Sequence, residues 1–100
     1  MKKRYKIIYS RNFIKKIHQI TNYITYHLQN PIATYHFQIK MKQTISVLNY
    51  FSQAGPKYKN TKYHYLLMKH WIILYEIQNN EVEMIDIFSS KQNSKKIQLS

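Results

Sequence analysis

The chain has 100 residues, of which 44% are hydrophobic, with no cysteine and a formal net charge of +12. This length and apolar content fit one folded domain, and the lack of cysteine excludes disulfides and thiolate metal sites. The first 75 residues hold thirteen Lys and Arg and no acid, because all four carboxylates lie at Glu76, Glu81, Glu83 and Asp86. This distribution predicts a polyanionic partner and argues against hydrolytic sites built on paired carboxylates.

The distribution of apolar residues also bears on location. No apolar run approaches the ~20 residues that a membrane-spanning helix needs. Residues 1–8 lack the apolar region of a signal peptide. We therefore expect a cytoplasmic protein without membrane association.

The N-terminal third predicts a strand followed by a helix. A short apolar-rich run at residues 5–9 indicates the strand, and Ser10 follows where its side-chain oxygen can cap a helix. In residues 11–28, apolar side chains recur every three or four positions, which is typical of a helix with one buried stripe. The predicted stripe consists of Phe13, Ile17, Ile20, Ile24 and Leu28.

A second helix is predicted from Asn30 and Pro31 to about residue 50. Proline suits the first turn of a helix, and Asn30 can act as its cap. The apolar spacing continues at Ala33, Phe37, Met41, Ile45 and Leu48. The two helices can therefore form an antiparallel hairpin that buries both stripes.

The remainder of the chain predicts a loop and three strands. Residues 52–60 contain the only glycine beside a proline, and residues 63–68, 71–77 and 82–88 are rich in aromatic and β-branched side chains. Short connections at residues 68–70 and 79–80 favour an antiparallel meander. Residues 91–100 form a polar, basic tail. We expect a single α+β domain over residues 1–100, with an N-terminal strand and a helix hairpin packed on one face of the sheet.

This order of elements resembles the RelE/ParE toxins of bacterial type II toxin-antitoxin systems. The resemblance rests on NPIA at residues 30–33, WIILY at residues 71–75, VEMIDIF at residues 82–88 and the ending Ser90-Lys91-Gln92, and it covers residues 5–93. It implies a small basic toxin held inactive by an acidic antitoxin that wraps it, in a dimer or hetero-oligomer with that antitoxin.

The resemblance implies one of two activities. Members of the RelE branch are ribosome-dependent, metal-independent mRNA endoribonucleases, whereas ParE-like members inhibit DNA gyrase. The cationic positions of the RelE branch fall on Tyr63, Tyr65 and Ile72, and Lys91-Gln92 stands where ParE-like relatives often have Arg-Gln. The sequence therefore favours the gyrase inhibitor over the RNase, and a non-catalytic nucleic-acid-binding module is a third alternative that the charge alone predicts.

Metal-free RNA cleavage would need a general base, a general acid and cations around the phosphate. The candidate catalytic residues are His64 and Lys91, with His70 and Lys69 as alternates, although each is more simply explained as a partly exposed residue on a basic surface. Tyr75 is interpreted as a core residue. His18, His27 and His36 do not have the spacing of metal ligands, so we predict no metal and no cofactor.

The predicted target-binding residues are lysines near tyrosine rings. Such pairs suit nucleic acid, because the rings can stack on bases while the cations neutralise phosphates. This group comprises Lys57, Lys59, Lys62 and Lys69.

Overall fold

The protein is represented by a computed structural model that describes residues 4–91. Its elements are strand β1 (Lys6–Tyr9), helix α1 (Arg11–Asn22), helix α2 (Pro31–Ser46) and strands β2 (His64–Met68), β3 (Trp71–Gln78) and β4 (Glu81–Ser89). A π-helical turn (Tyr23–His27) extends α1, and a 3-10 turn (Val47–Asn49) extends α2. The predicted α+β class and element order are confirmed, while residues 92–100 of the predicted tail lie outside the described residues.

Both helices begin at the predicted caps. The Ser10 hydroxyl accepts a hydrogen bond from the amide of Phe13 at 3.0 Å, and the Asn30 side chain accepts one from the amide of Ala33 at 3.1 Å. Pro31 occupies the first turn of α2, where its missing amide has no partner to lose. Local side-chain chemistry therefore sets where each helix starts.

The end of the first helix differs from the prediction at Leu28. The amide of Leu28 donates to the carbonyl of Tyr23 at 3.0 Å, which is the i to i−5 bond of a π-turn. A π-turn holds more residues per turn than an α-helix, so it rotates the following residues away from the buried stripe. The prediction that Leu28 faces the core is therefore wrong, and its side chain is 55% exposed.

The four strands form one sheet in the order β1-β4-β3-β2. Strands β2, β3 and β4 make the predicted antiparallel meander, with Lys69 (φ 57°) and Asn79 (φ 53°) in the left-handed region at its two turns. Strand β1 pairs in parallel with β4. A parallel pair needs a long crossover, and the helix pair within this crossover covers one face of the sheet.

A β-bulge interrupts the pairing of β3 with β4. Leu74 pairs with Asp86, whereas the next residue, Tyr75, pairs with Met84. The extra residue on β4 changes the alternation of its side chains. Met84 and Ile87, which are three residues apart, are consequently both buried, at 0% and 1% exposure.

The bulged residue also ties the sheet to α1. The Ile85 carbonyl accepts hydrogen bonds from the Ser10 hydroxyl at 3.1 Å and from the Asn12 side-chain amide at 3.0 Å. The start of α1 is therefore fixed to β4 by polar contacts as well as by packing.

The core lies between the helix pair and the covered face of the sheet. It is built from both helices, the 3-10 turn and all the strands of the meander: Phe13, Phe37, Ile45, Leu48, Met68, Ile73, Tyr75, Val82, Met84 and Ile87. The four predicted residues Ile17, Ile20, Ile24 and Met41 pack against it while partly buried. Within residues 4–91, no helix combines the length and the apolar character needed to cross a bilayer.

The opposite face of the sheet is partly covered by the loop between α2 and β2. The ring of Tyr58 lies edge-on to Tyr65 and Phe88, with ring centroids 5.9 and 6.1 Å away. Ile72 and Leu74 share this face and are nonetheless buried, at 9% and 8% exposure. The loop therefore completes a second, smaller apolar layer.

Candidate functional site

The candidate site residues fall into two groups. The loop group lies before or at the start of β2 and comprises Lys57, Lys59, Lys62 and His64. The turn group lies beyond the other end of β2 and comprises Lys69, His70 and Lys91.

The register of the sheet keeps the two groups apart. His64 pairs with Tyr75, whereas Ser89, two residues before Lys91, pairs with Trp71 at the other end of β3. Tyr75 and Trp71 are four positions apart on β3, which corresponds to roughly 13 Å along the sheet. The structure therefore does not bring His64 and Lys91 together, and the catalytic role of each stays a prediction.

Tyr75 anchors the loop group from within the core. Its side chain is 0% exposed, which confirms its interpretation as a core residue, and its hydroxyl accepts a hydrogen bond from the Gly55 amide at 2.9 Å. Burial raises the pKa of Tyr75 above its ordinary value of 10.0, and the hydrogen bond from Gly55 opposes this effect. A Cβ at Gly55 would overlap the carbonyl oxygen of Tyr65, so only glycine fits this close approach.

His64 contacts both Tyr75 and Gly55. Its ring stacks on that of Tyr75, with centroids 5.5 Å apart and 26° between the planes, and its Nδ1 lies 2.9 Å from the Gly55 carbonyl oxygen. Because a carbonyl oxygen only accepts, Nδ1 carries the proton in this hydrogen bond. In the neutral ring, the free lone pair is then on Nε2, so any proton abstraction by His64 would have to use that atom.

The backbone of the loop group runs beside the start of β2. The amide of Tyr58 donates to the Tyr63 carbonyl at 2.8 Å, and the amide of Tyr65 donates to the Pro56 carbonyl at 3.0 Å. Lys57 forms an isolated bridge with His64 between these two bonds. The pairing holds the exposed Lys57 at the edge of the sheet.

Two lysines of the loop group lie beside tyrosine rings. The Nζ of Lys59 is 5.3 Å from the ring centre of Tyr58, and the Nζ of Lys62 is 5.7 Å from that of Tyr63. Lys62 also lies 3.5 Å from the carboxylate of Glu76. These cations are already in contact with aromatic or acidic neighbours, and both rings are half-buried. Less ring surface is therefore left for stacking on bases than the sequence indicates.

The turn group is more exposed. Lys69 occupies the left-handed region at φ 57°, and the His70 carbonyl accepts a hydrogen bond from the Ser90 amide at 2.6 Å. This bond brings Lys91, the residue after Ser90, to the turn between β2 and β3. Lys69, His70 and Lys91 are exposed, so one end of the sheet presents two lysines and a histidine.

Two of the four carboxylates, Glu76 and Asp86, have structural partners. An oxygen of Asp86 lies 3.0 Å from the Nζ of Lys16 and accepts a hydrogen bond from the Ile87 amide at 2.7 Å. This bridge joins α1 to the bulged part of β4. Across residues 4–91, no three His, Asp or Glu side chains lie close enough together to hold a metal ion.

A groove that the sequence did not predict lies at the end of the sheet that carries the turn group. The groove has a volume of about 790 Å³ and lies between the end of the first helix and strands β3 and β4. Its apolar lining includes Ile20, Tyr23, Leu28, Trp71 and Phe88. The sequence signal was present in these apolar residues, but the π-turn that moves Leu28 to the groove has no clear sequence signature.

Comparisons with known proteins agree with this architecture. The structure titled "Chromosomal ParDE TA system from P. aeruginosa" superposes with a TM-score of 0.76 at 11% identity, over 86% of this chain and 96% of that chain. At this identity, the likeness shows the fold. A comparison with curated proteins gave no match. A family model described as the ParE toxin of type II toxin-antitoxin system, parDE, matches residues 7–94. Because this match spans most of the chain, the chain belongs to the ParE toxin family of type II toxin-antitoxin systems.

Proposed function

We propose that this toxin inhibits DNA gyrase without cutting nucleic acid, and that an acidic antitoxin neutralises it. The proposal is carried by the separation of His64 from Lys91 along the sheet. Metal-free RNA cleavage needs a base and an acid within hydrogen-bond reach of one phosphodiester. A pair separated by roughly 13 Å of strand cannot serve one phosphate in that way.

The surroundings of His64 and Tyr75 support the same conclusion. The Nδ1 of His64 is hydrogen-bonded to the Gly55 carbonyl, and the hydroxyl of Tyr75 is buried against the Gly55 amide. These are contacts that hold a loop in place, and they leave Tyr75 without access to a substrate. The loop group is thus better suited to binding a target than to cleaving one.

A ribosome-dependent, metal-independent RNase is the second candidate, and the turn group favours it. His70 is a potential base or acid, and Lys69 and Lys91 are potential phosphate ligands at the same end of the sheet. This candidate predicts that His70 and Lys91 are required for toxicity.

The antitoxin part of the proposal rests on the apolar groove and on the net charge. A groove lined by Ile20, Tyr23 and Leu28 fits the apolar face of an amphipathic helix. A partner rich in Asp and Glu would be attracted to a chain of net charge +12. An acidic amphipathic segment meets both conditions.

The target can be tested by inducing the toxin in bacteria. Message ends are mapped by primer extension, and gyrase supercoiling is assayed with the purified toxin. We expect inhibited supercoiling and intact messages. Cleavage with the periodicity of the ribosomal A site would instead establish the RNase, and normal growth with neither effect would leave a nucleic-acid-binding module.

Single substitutions make this test sharper. Under the gyrase proposal, His70→Ala retains gyrase inhibition, whereas the RNase candidate predicts that His70→Ala abolishes message cleavage. Lys15→Ala is the matched control, because Lys15 is exposed on α1 and belongs to neither group.

The groove can be tested separately from the target. Leu28→Lys places a charge in the groove at an exposed position, so we expect an intact fold, retained toxicity and weaker neutralisation by the antitoxin. Tyr26→Lys, at a residue that is 75% exposed and does not line the groove, is the control. Unchanged neutralisation of the Leu28→Lys variant would exclude the groove as the docking site.

A further inference from the structure

A small cleft separates α2 from the turn between β2 and β3. Its volume is about 200 Å³, and its lining includes His36, Phe37, Lys40, Met68, Lys69 and Trp71. We infer that this cleft binds a phosphate group of a single-stranded nucleic acid, with the neighbouring nucleoside against the indole of Trp71. The inference is independent of whether gyrase is the target.

The hydrogen-bond donors of the cleft come from two different elements. His36 and Lys40 are four residues apart on α2, so their side chains lie on the same face of the helix. Lys69 lies on the other side of the cleft, in the left-handed turn. Two lysines and a histidine thus line one small volume. Their side chains carry N–H donors, which are the groups that bind a phosphate.

Lys40 and Lys69 are not neutralised by the other residues of the cleft. None of the described residues that line the cleft is acidic. The carboxylates of Asp86 and Glu76 are instead paired with Lys16 and Lys62. An anion that enters the cleft therefore meets two lysines, and no carboxylate of the lining competes for them.

Trp71 makes a nucleotide the favoured ligand. Its ring is half-buried and lies edge-on to Phe37, with centroids 5.7 Å apart and 69° between the planes, so it is held in one orientation. A fixed aromatic ring beside a phosphate site is the arrangement by which proteins hold single-stranded nucleic acid. A carboxylate of an acidic peptide would use the cations but would leave the indole without a matching planar group.

Trp71 is the only tryptophan of the sequence, and it lines both this cleft and the apolar groove. Its fluorescence therefore reports binding at either place, and variants that remove the lysines of the cleft assign the signal to the cleft. The full-length toxin is titrated with short oligothymidylate at several salt concentrations. We expect saturable quenching of the Trp71 emission, reversed by an excess of inorganic phosphate. Thymidine, which lacks a phosphate, should quench far less.

Two double variants separate the cleft from the general charge. K40Q/K69Q should weaken the binding measured by quenching and reduce the slope of log K against log salt concentration by about 0.7, the value for one neutralised phosphate on a single strand. K15Q/K42Q removes the same charge from exposed helix positions outside the cleft and should retain the quenching. Thermal unfolding of both variants checks that the fold is intact.

Several results would overturn the inference. Equal losses in the two double variants would show that binding depends on diffuse charge. Quenching by a glutamate-rich peptide but not by oligothymidylate would assign the cleft to a carboxylate. Titrations in which binding leaves the Trp71 emission unchanged would place the nucleic acid elsewhere on the surface. None of these results depends on gyrase inhibition, which is measured separately.

Discussion

The buried hydrogen bond from the Gly55 amide to the Tyr75 hydroxyl, at 2.9 Å, joins the loop before β2 to the middle of the sheet. Gly55 is held twice, because its carbonyl oxygen also lies 2.9 Å from the Nδ1 of His64. The position of the loop group therefore depends on Gly55 and on the side chains of Tyr75 and His64, which stack on each other.

The first prediction concerns Tyr75→Phe. This change keeps the ring but leaves the buried Gly55 amide without an acceptor, so we expect the free energy of unfolding to fall by about 1–3 kcal/mol. Urea denaturation of both proteins measures the difference. Tyr26→Phe, at a residue that is 75% exposed, should have no effect. An equal effect of the two changes would contradict the role of the buried bond.

The second prediction concerns pH. Burial raises the pKa of Tyr75 above 10.0 in the folded state, so the folded chain keeps this proton at pH values where the unfolded chain has lost it. The contribution of Tyr75 to stability is therefore complete below pH 10 and is lost as pH rises through the folded pKa. The stability difference between the unmodified protein and Tyr75→Phe should shrink above pH 10, while the titration of lysines cancels in the comparison. A difference that stays constant would contradict the raised pKa.

The third prediction separates charge from backbone strain at Lys69. Its φ of 57° costs a residue with a Cβ about 1–2 kcal/mol. Lys69→Gly removes this cost, because glycine has no Cβ. We expect Lys69→Gly to raise the midpoint of thermal unfolding and Lys69→Gln to leave it nearly unchanged. Both variants remove the charge and should weaken oligothymidylate binding equally. A lower midpoint for Lys69→Gly would show that the turn is not strained.

The fourth prediction concerns the ion pair between Lys16 and Asp86. Asp86→Asn keeps an oxygen for the Ile87 amide but removes the charge that faces Lys16. With both side chains partly exposed, a double-mutant cycle with Lys16→Met should give a coupling of about 0.5–1 kcal/mol. The coupling should decrease at high salt. A coupling of zero at low salt would mean that the pair does not stabilise the contact between α1 and β4.

The elements with local signals could be predicted from the sequence. Ser10 and Asn30 are capping residues whose effect depends on the next three residues, and the apolar spacing around Phe13 and Ile45 is set by helix geometry. Asn79 at the last hairpin likewise tolerates the left-handed region. The order of elements follows from such signals alone.

The features that depend on contacts between distant residues could not be predicted in this way. The parallel pairing of β1 with β4 and the bulge at Ile85 arise from packing across the whole chain. The distance between His64 and Lys91 could not be predicted either. Both residues lie near strand ends, and only the register of β2, β3 and β4 decides which strand ends lie side by side. His36 and Lys40 approach Lys69 only after α2 has packed beside β2, so no sequence spacing marks their cleft.

The pairing of residues 56–58 with the start of β2 also affects the tendency of this protein to aggregate. Strand β2 lies at the edge of the sheet, and a bare edge can pair with the backbone of another molecule. The amides of Tyr58 and Tyr65 are already bonded within the chain, to Tyr63 and Pro56. The loop that Tyr75 and His64 hold in place thus protects this part of the edge from pairing with another molecule. If the loop detached from β2, the backbone groups that it now binds would be free to pair with another chain.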